Sequence, residues 1–156
     1  MFQDFEHDVF NALQQGLQLI QKYKSLHLIL GREHFQYVPN GIIKGVTKFC
    51  RQEAIPFTIR ENFAERNARQ QHAYLIFSDT DLIRFIKHCN KMKWRPGRDV
   101  GIISYDDTPV KEILLAGVTV ISTDFEQMGK TAGRLIAEKR REKIANPCSL
   151  IVRKPL

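Results

Sequence analysis

Residues 94–109 read WRPGRDVGIISYDDTP, in which an apolar run, Val100 to Ser104, ends abruptly in two adjacent carboxylates, Asp106 and Asp107. A buried strand that delivers acids at its carboxyl end is how an open α/β sheet builds a ligand site.

Outward from this stretch, apolar spacing alternates between the strand and helix periods. Towards the carboxyl terminus a short helix follows Pro109 and stops at Gly117, and Val118 to Ser122 is a strand. A long helix is predicted from Phe125 to Lys143, then a strand from Leu150 to Arg153. Towards the amino terminus, Leu82, Phe85, Ile86 and Cys89 mark a helix face, and Ala73 to Phe77 and Phe57 to Ile59 read as strands. Ile42, Ile43, Val46, Phe49 and Cys50 have helical spacing after Pro39. Leu26 to Leu30 reads as a strand, and Phe5, Val9, Leu13, Leu17 and Ile20 form a helix face that Asp4 can cap. Strands alternating with helices predict a parallel sheet covered by helices on both faces.

With 156 residues, 43% of them hydrophobic, the chain suffices for one domain with a proper core. No run approaches the roughly 18 apolar residues that span a bilayer, so no membrane partner is expected. MFQDFEHD at the amino terminus is acidic and has no apolar centre, unlike a secretory signal. Cys50, Cys89 and Cys148 are odd in number and widely spaced, which fits buried thiols in a reducing cytoplasm. No metal or cofactor motif is present, and the histidines at 7, 27, 34, 72 and 88 show no ligand spacing. The net charge of +7 invites a nucleic-acid reading, but the densest cluster, EKRREK at 138–143, falls in the predicted last turns of a helix, where cations suit the dipole. No DNA- or RNA-binding signature accompanies it. Enzyme activity is not expected either: Asp106 and Asp107 are neighbours on a loop, and no nucleophile–base pair or phosphate cradle joins them.

The string from Trp94 to Pro109, continued by VKEILLAGVTVISTDFEQMGKTAGRLIAEK (Val110 to Lys139) and closed by SLIVRKPL (Ser149 to Leu156), resembles the effector module of LacI/GalR-type sugar-responsive repressors. Residues 1–78 match more weakly, in element order. The nearest picture is this module fused to a GntR-type DNA-binding head. The resemblance implies a periplasmic-binding-protein-like type I fold, of which residues 1–156 are the second lobe of two, with the first lobe and the DNA-binding head absent. It implies a small-molecule effector, a monosaccharide, in a cytoplasmic, homodimeric regulator that contacts DNA only through a domain outside this chain. A sugar-binding protein of a transport system is the alternative. The resemblance also implies that the Phe125–Lys143 helix packs on the first lobe. Its apolar stripe, Phe125, Met128, Ala132, Leu135 and Ile136, is then expected to pair two copies. The polar stretch 61–71 is shorter than the family's whole helix at this place and suggests a trimmed domain edge.

Ligands in such sheets sit beyond the carboxyl ends of the strands. Those ends offer Arg32 and Phe35 after the first strand, Arg60 and Glu61 after the second, and Asp79 after the third. Tyr105 and Asp106 end the fourth and Thr123 the fifth. Carboxylates accept from neighbouring hydroxyls, arginines donate, and an aromatic ring walls the apolar face of a sugar. By resemblance Asp79 takes the place of the family's effector-contacting acid, with helix capping as its structural alternative. One of Asp106 and Asp107 is expected to orient the loop instead of meeting ligand. Thr123 stands where relatives carry a glutamine, and Arg32 is the substitute for an arginine missing near Asn40. For Arg60 and Glu61 the structural alternative is a solvent-facing pair.

Overall fold

The computed structural model describes residues 1–31, 37–154 and 156. Six strands form one sheet in the order β2-β1-β3-β4-β5-β6: β1 Leu26–Ile29, β2 Phe57–Arg60, β3 Ala73–Ile76, β4 Gly101–Tyr105, β5 Thr119–Thr123 and β6 Cys148–Ile151. The first five run parallel, whereas β6 pairs antiparallel with β5, a departure from the all-parallel expectation. β4 and β5 run one residue later than the apolar spans, which takes Tyr105 and Thr123 into the sheet.

Strand side chains alternate between two cores, as the two-residue period requires. Leu26, Leu28, Leu75, Ile103 and Ile121 face α1 (Phe5–Gln15) and α3 (Asn40–Gln52), meeting Val9, Leu13, Ile42 and Phe49. Ile29, Ile76, Ile102 and Val120 face α4 (Asp79–Met92), meeting Leu82, Phe85 and Cys89. Coverage on both sides explains why the central strands are continuous apolar runs. The apolar face expected from Phe5 to Ile20 is broken at Gly16, after which α2 (Leu17–Ile20) begins, because Leu150 of β6 packs against that glycine. α1 and α3 approach closely at Gly45, where a Cβ would lie 2.6 Å from the Glu6 carbonyl oxygen. Burial pushes the thiols of Cys50 and Cys89 up to about 12, leaving them inert.

Residues 61–71 hold only a single 3-10 turn, Glu65–Asn67, in agreement with the trimmed edge. The segment still closes the second core: Phe63 packs edge-on to Phe85 at 5.2 Å, and its N–H donates to Asp81. Near the same segment, His27 and His72 meet. Their facing nitrogens are 2.7 Å apart, with ring centroids at 5.0 Å and planes within 10°. This is end-to-end geometry, in which one imidazole donates its N–H to the other, and not face-to-face stacking.

α5 (Pro109–Ile113) precedes β5, and α6 (Phe125–Ala137) follows it. The expected helix to Lys143 therefore ends six residues early. Lys139 enters the left-handed region at φ 52° and the Arg140 N–H returns to the Leu135 carbonyl, a Schellman-type stop. The EKRREK cluster thus lies beyond the helix rather than in its last turns, and Arg140 pairs there with Glu138 and Glu142. Residues 144–146 then bond to Phe2 on the way to β6. The apolar stripe on α6 is divided: Leu135 is buried, whereas Phe125 and Ile136 are 46% and 78% exposed. Among the described residues, no helix is long and apolar enough to cross a membrane.

Candidate functional site

A cleft of about 310 Å³ opens where β3 and β4 end. One wall is Phe77, Ser78, Asp79 and Thr80, leading into α4; the other is Tyr105, Asp106, Thr108 and Lys111, leading into α5. The two walls meet at their base through the rings of Phe77 and Tyr105, stacked with centroids 4.8 Å apart. Burial raises the Tyr105 hydroxyl above its usual range, so it stays protonated.

Ser78 caps α4, its hydroxyl accepting from the Asp81 N–H at 3.2 Å. That takes the capping role away from Asp79, which sits one residue inside the helix. Its carboxylate, 65% exposed, instead accepts from Lys111 Nζ at 2.9 Å. Beside it, β1 leaves the sheet through Gly31, at φ 73°, where a Cβ would meet Ser78 Cβ at 2.1 Å. Only glycine permits that approach.

The two adjacent acids have separate tasks. Asp107 is held by both guanidinium nitrogens of Arg153 at 2.8 Å, and its own N–H donates to Ser122 Oγ at 3.0 Å. The Arg153 hydrogen bonds hold the Asp107 carboxyl below the usual range, with a smaller contribution from the Thr108 N–H. Asp107 is therefore the acid that fastens the loop, chiefly through a partner on the chain's last stretch. Asp106 lies in the left-handed region at φ 58°, a conformation that costs roughly 1 kcal/mol for a non-glycine residue. Its Oδ1 is enclosed and, among the described residues, has no hydrogen-bond partner; the same holds for Thr108 Oγ1. Burial raises the Asp106 pKa, the nearby Lys111 opposes the rise, and Asp79 adds to it. Strain and an unmet polar atom thus coincide in one residue that lines the cleft.

Lys111 is 3% exposed. Besides Asp79, its ammonium donates to the carbonyl oxygens of Tyr105 at 2.6 Å and Asp106 at 2.9 Å. In the sequence reading Lys111 has no role, and a cation in a helix's first turn opposes the dipole. The available signal is its place one turn after a proline-started helix at a strand end. Helical side chains lean back towards the amino terminus, here onto those carbonyls.

Of the residues expected at the site, the fold brings together Asp79, Tyr105 and Asp106. Arg60 and Glu61 end the edge strand β2; Arg60 lines a separate small cavity with His27 and Phe63. Thr123, at the end of β5, accepts from Gln3 Nε2 at 2.7 Å and does not line the cleft. Arg32 and Phe35 lie outside the described residues. The described residues hold no group of three or more His, Cys, Asp or Glu able to bind a metal.

Comparison with curated proteins gives no match. Among solved structures, the fold is similar to the lac repressor dimer bound to operator and the anti-inducer ONPF, with TM-score 0.76 and 19% identity over 98% of this chain and 59% of that one. It is also similar to the Escherichia coli transcriptional repressor ascG, with TM-score 0.75 and 14% identity over 100% of this chain and 63% of that one. A probable maltose operon transcriptional repressor from Staphylococcus gives TM-score 0.71 and 16% identity over 98% and 60%. The chain thus spans about three fifths of the length of these structures. The family model described as periplasmic binding protein-like domain matches residues 19–154, and the chain belongs to that family.

Proposed function

We propose that this chain is the effector-binding part of a bacterial transcriptional regulator and has no catalytic activity of its own. It takes a small hydroxyl-rich molecule, a monosaccharide, at the cleft between the ends of β3 and β4. The bound state passes to a DNA-contacting domain outside this chain, with a GntR-type head as the specific candidate, in a cytoplasmic homodimer. One observation carries the ligand reading: Asp106, which lines a cleft with an aromatic base, is held strained with a carboxylate oxygen that has no partner among the described residues. A sugar hydroxyl supplies the missing donor, and its C–H face suits the Phe77–Tyr105 pair. Asp79 offers a second acceptor, and the solved repressors named above support the regulatory reading. On sequence grounds Arg32 and Phe35, directly after Gly31, are proposed as further contacts.

The test is calorimetric titration of the chain, and of the whole regulator, with a panel of monosaccharides. Binding by at least one sugar is expected, and Asp106→Asn should weaken it, since losing a charge-assisted hydrogen bond costs about 1.5 to 3 kcal/mol. Sugar binding undiminished in Asp106→Asn would refute the assignment of the cleft.

A further inference from the structure

We propose that Lys111 sets the charge specificity of this cleft: its donors are committed to protein acceptors, so Asp79 and Asp106 are left to meet the effector, and the cleft takes uncharged hydroxyl-rich molecules while rejecting phosphorylated or carboxylated ones. This rests on the reading of the cleft as the effector site.

An ammonium has three protons to donate. Those of Lys111 meet Tyr105 O, Asp106 O and Asp79 Oδ1, all within 2.9 Å. A lysine with a free donor would welcome an anion, but this one, in the cleft wall, is 3% exposed with its donors already taken. Among the described residues, the charged groups of the cleft left to a ligand are acceptors: the Asp106 carboxylate and the second oxygen of the exposed Asp79. Among the described residues of the cleft, two carboxylates stand against one cation, which opposes any further negative charge. An anion that displaced Asp79 would meet an ammonium still held by the carbonyl oxygens of Tyr105 and Asp106.

Lys111 also ties the two walls together, since its partners come from the end of β4 and from the first turn of α4. A purely structural tie and a charge filter differ in what the residue's removal does. Losing a tie weakens every ligand alike; losing the cation changes the ranking by charge.

The experiment titrates the full chain with glucose, galactose and ribose. Glucose 6-phosphate, ribose 5-phosphate and galacturonate serve as anionic counterparts, and glucosamine as the cationic one. Wild type, Lys111→Met and Lys111→Arg are compared. The expected result is that a neutral sugar binds at least about tenfold more tightly than its anionic counterpart. In Lys111→Met the preference for glucosamine over glucose should rise by about tenfold, with Lys111→Arg close to wild type. Carbon NMR of the ligand-free protein supplies a second reading: the Asp106 carboxyl should titrate higher in Lys111→Met by at least about half a pH unit. An anionic sugar binding as tightly as its neutral partner overturns the charge filter while leaving the effector site in place. A uniform loss across all probes in Lys111→Met, or an unmoved Asp106 titration, also overturns it. Silence from every probe overturns the effector reading and this proposal with it.

Discussion

Acidification from pH 7 to pH 5 is expected to weaken the fold through His27, a residue remote from the cleft. His27 is 7% exposed on β1. Its Nδ1 meets Thr58 Oγ1 at 2.6 Å and its Nε2 meets His72 Nδ1 at 2.7 Å, with Ser25 Oγ beside both nitrogens. Tyr74 covers its ring. Burial, then the charges of His72 and Arg60, lower its pKa from 6.5 to about 4; His72 is itself lowered by burial and by Lys24 and Arg69. A second proton on the pair would set two N–H groups against each other across 2.7 Å. Because the folded-state pKa is depressed, the unfolded chain binds the proton first. Stability is therefore complete above pH 6.5 and falls until about pH 4. A shift of this size corresponds to a total on the order of 3 kcal/mol, and to about 2 kcal/mol of loss by pH 5. Urea unfolding at pH 7, 6 and 5 measures it, with His27→Asn as the reference that cancels the carboxylates' contribution. The wild type should lose about 2 kcal/mol more than the variant over this range. Parallel pH profiles for the two proteins would refute the argument.

Other substitutions probe other parts of the fold. Ser78→Ala should cost about 1 kcal/mol in urea unfolding, the worth of a cap, while Asp79→Asn costs less, because Ser78 and not Asp79 accepts from the Asp81 N–H. Asp107→Asn should cost about 1 to 3 kcal/mol near neutral pH by releasing Arg153, and the difference should fade as acid protonates the wild-type carboxylate through its lowered pKa. Gly45→Ala forces α1 and α3 apart at a 2.6 Å approach, and a loss of about 1 to 3 kcal/mol is expected. For the proposed dimer, Ile136→Glu should shift light scattering at tens of micromolar towards monomer without changing circular dichroism. Leu135→Glu should instead unfold the end of α6, because Leu135 is buried; a wild-type chain that is monomeric under those conditions would refute self-association through α6.

The alternation of apolar strand runs with amphipathic helices was enough to place six strands and to put the acids at strand ends; Leu26–Ile29, Ala73–Ile76 and Gly101–Tyr105 were clearest, because a doubly covered strand must be apolar throughout. The direction of β6 was not legible: Leu150 and Ile151 are equally apolar in either orientation, and only the return of residues 138–147 past Phe2 reverses the chain. The end of α6 was hidden for a similar reason. Residues 138–143 are good helix formers, and the stop is made by a backbone turn at Lys139 that no glycine announces. At the site, Asp79, Tyr105 and Asp106 were legible because strand ends converge there. Arg60 and Thr123 also end strands, but β2 is the sheet's edge and Thr123 is covered by Gln3 from a segment 120 positions away.

The cleft's chemistry depends on a division of labour between neighbours that no single residue type could announce. Asp107, fastened to Arg153, anchors the loop to the strand region beyond β6, and Thr119 Oγ1 holds the Arg153 backbone from both sides. With that anchor fixed, Asp106 cannot relax out of its left-handed conformation without also giving up the bond from its N–H to the Ile121 carbonyl. Lys111 holds the Asp106 carbonyl oxygen from α5, and Asp106 lines the cleft. In the proposed effector site, a ligand hydroxyl that satisfied Asp106 would act on a loop already tied to β5, to Arg153 and, through Lys111 and Asp79, to α4. Occupation of that proposed site would thereby bear on the relative positions of α4, α5 and the last strand.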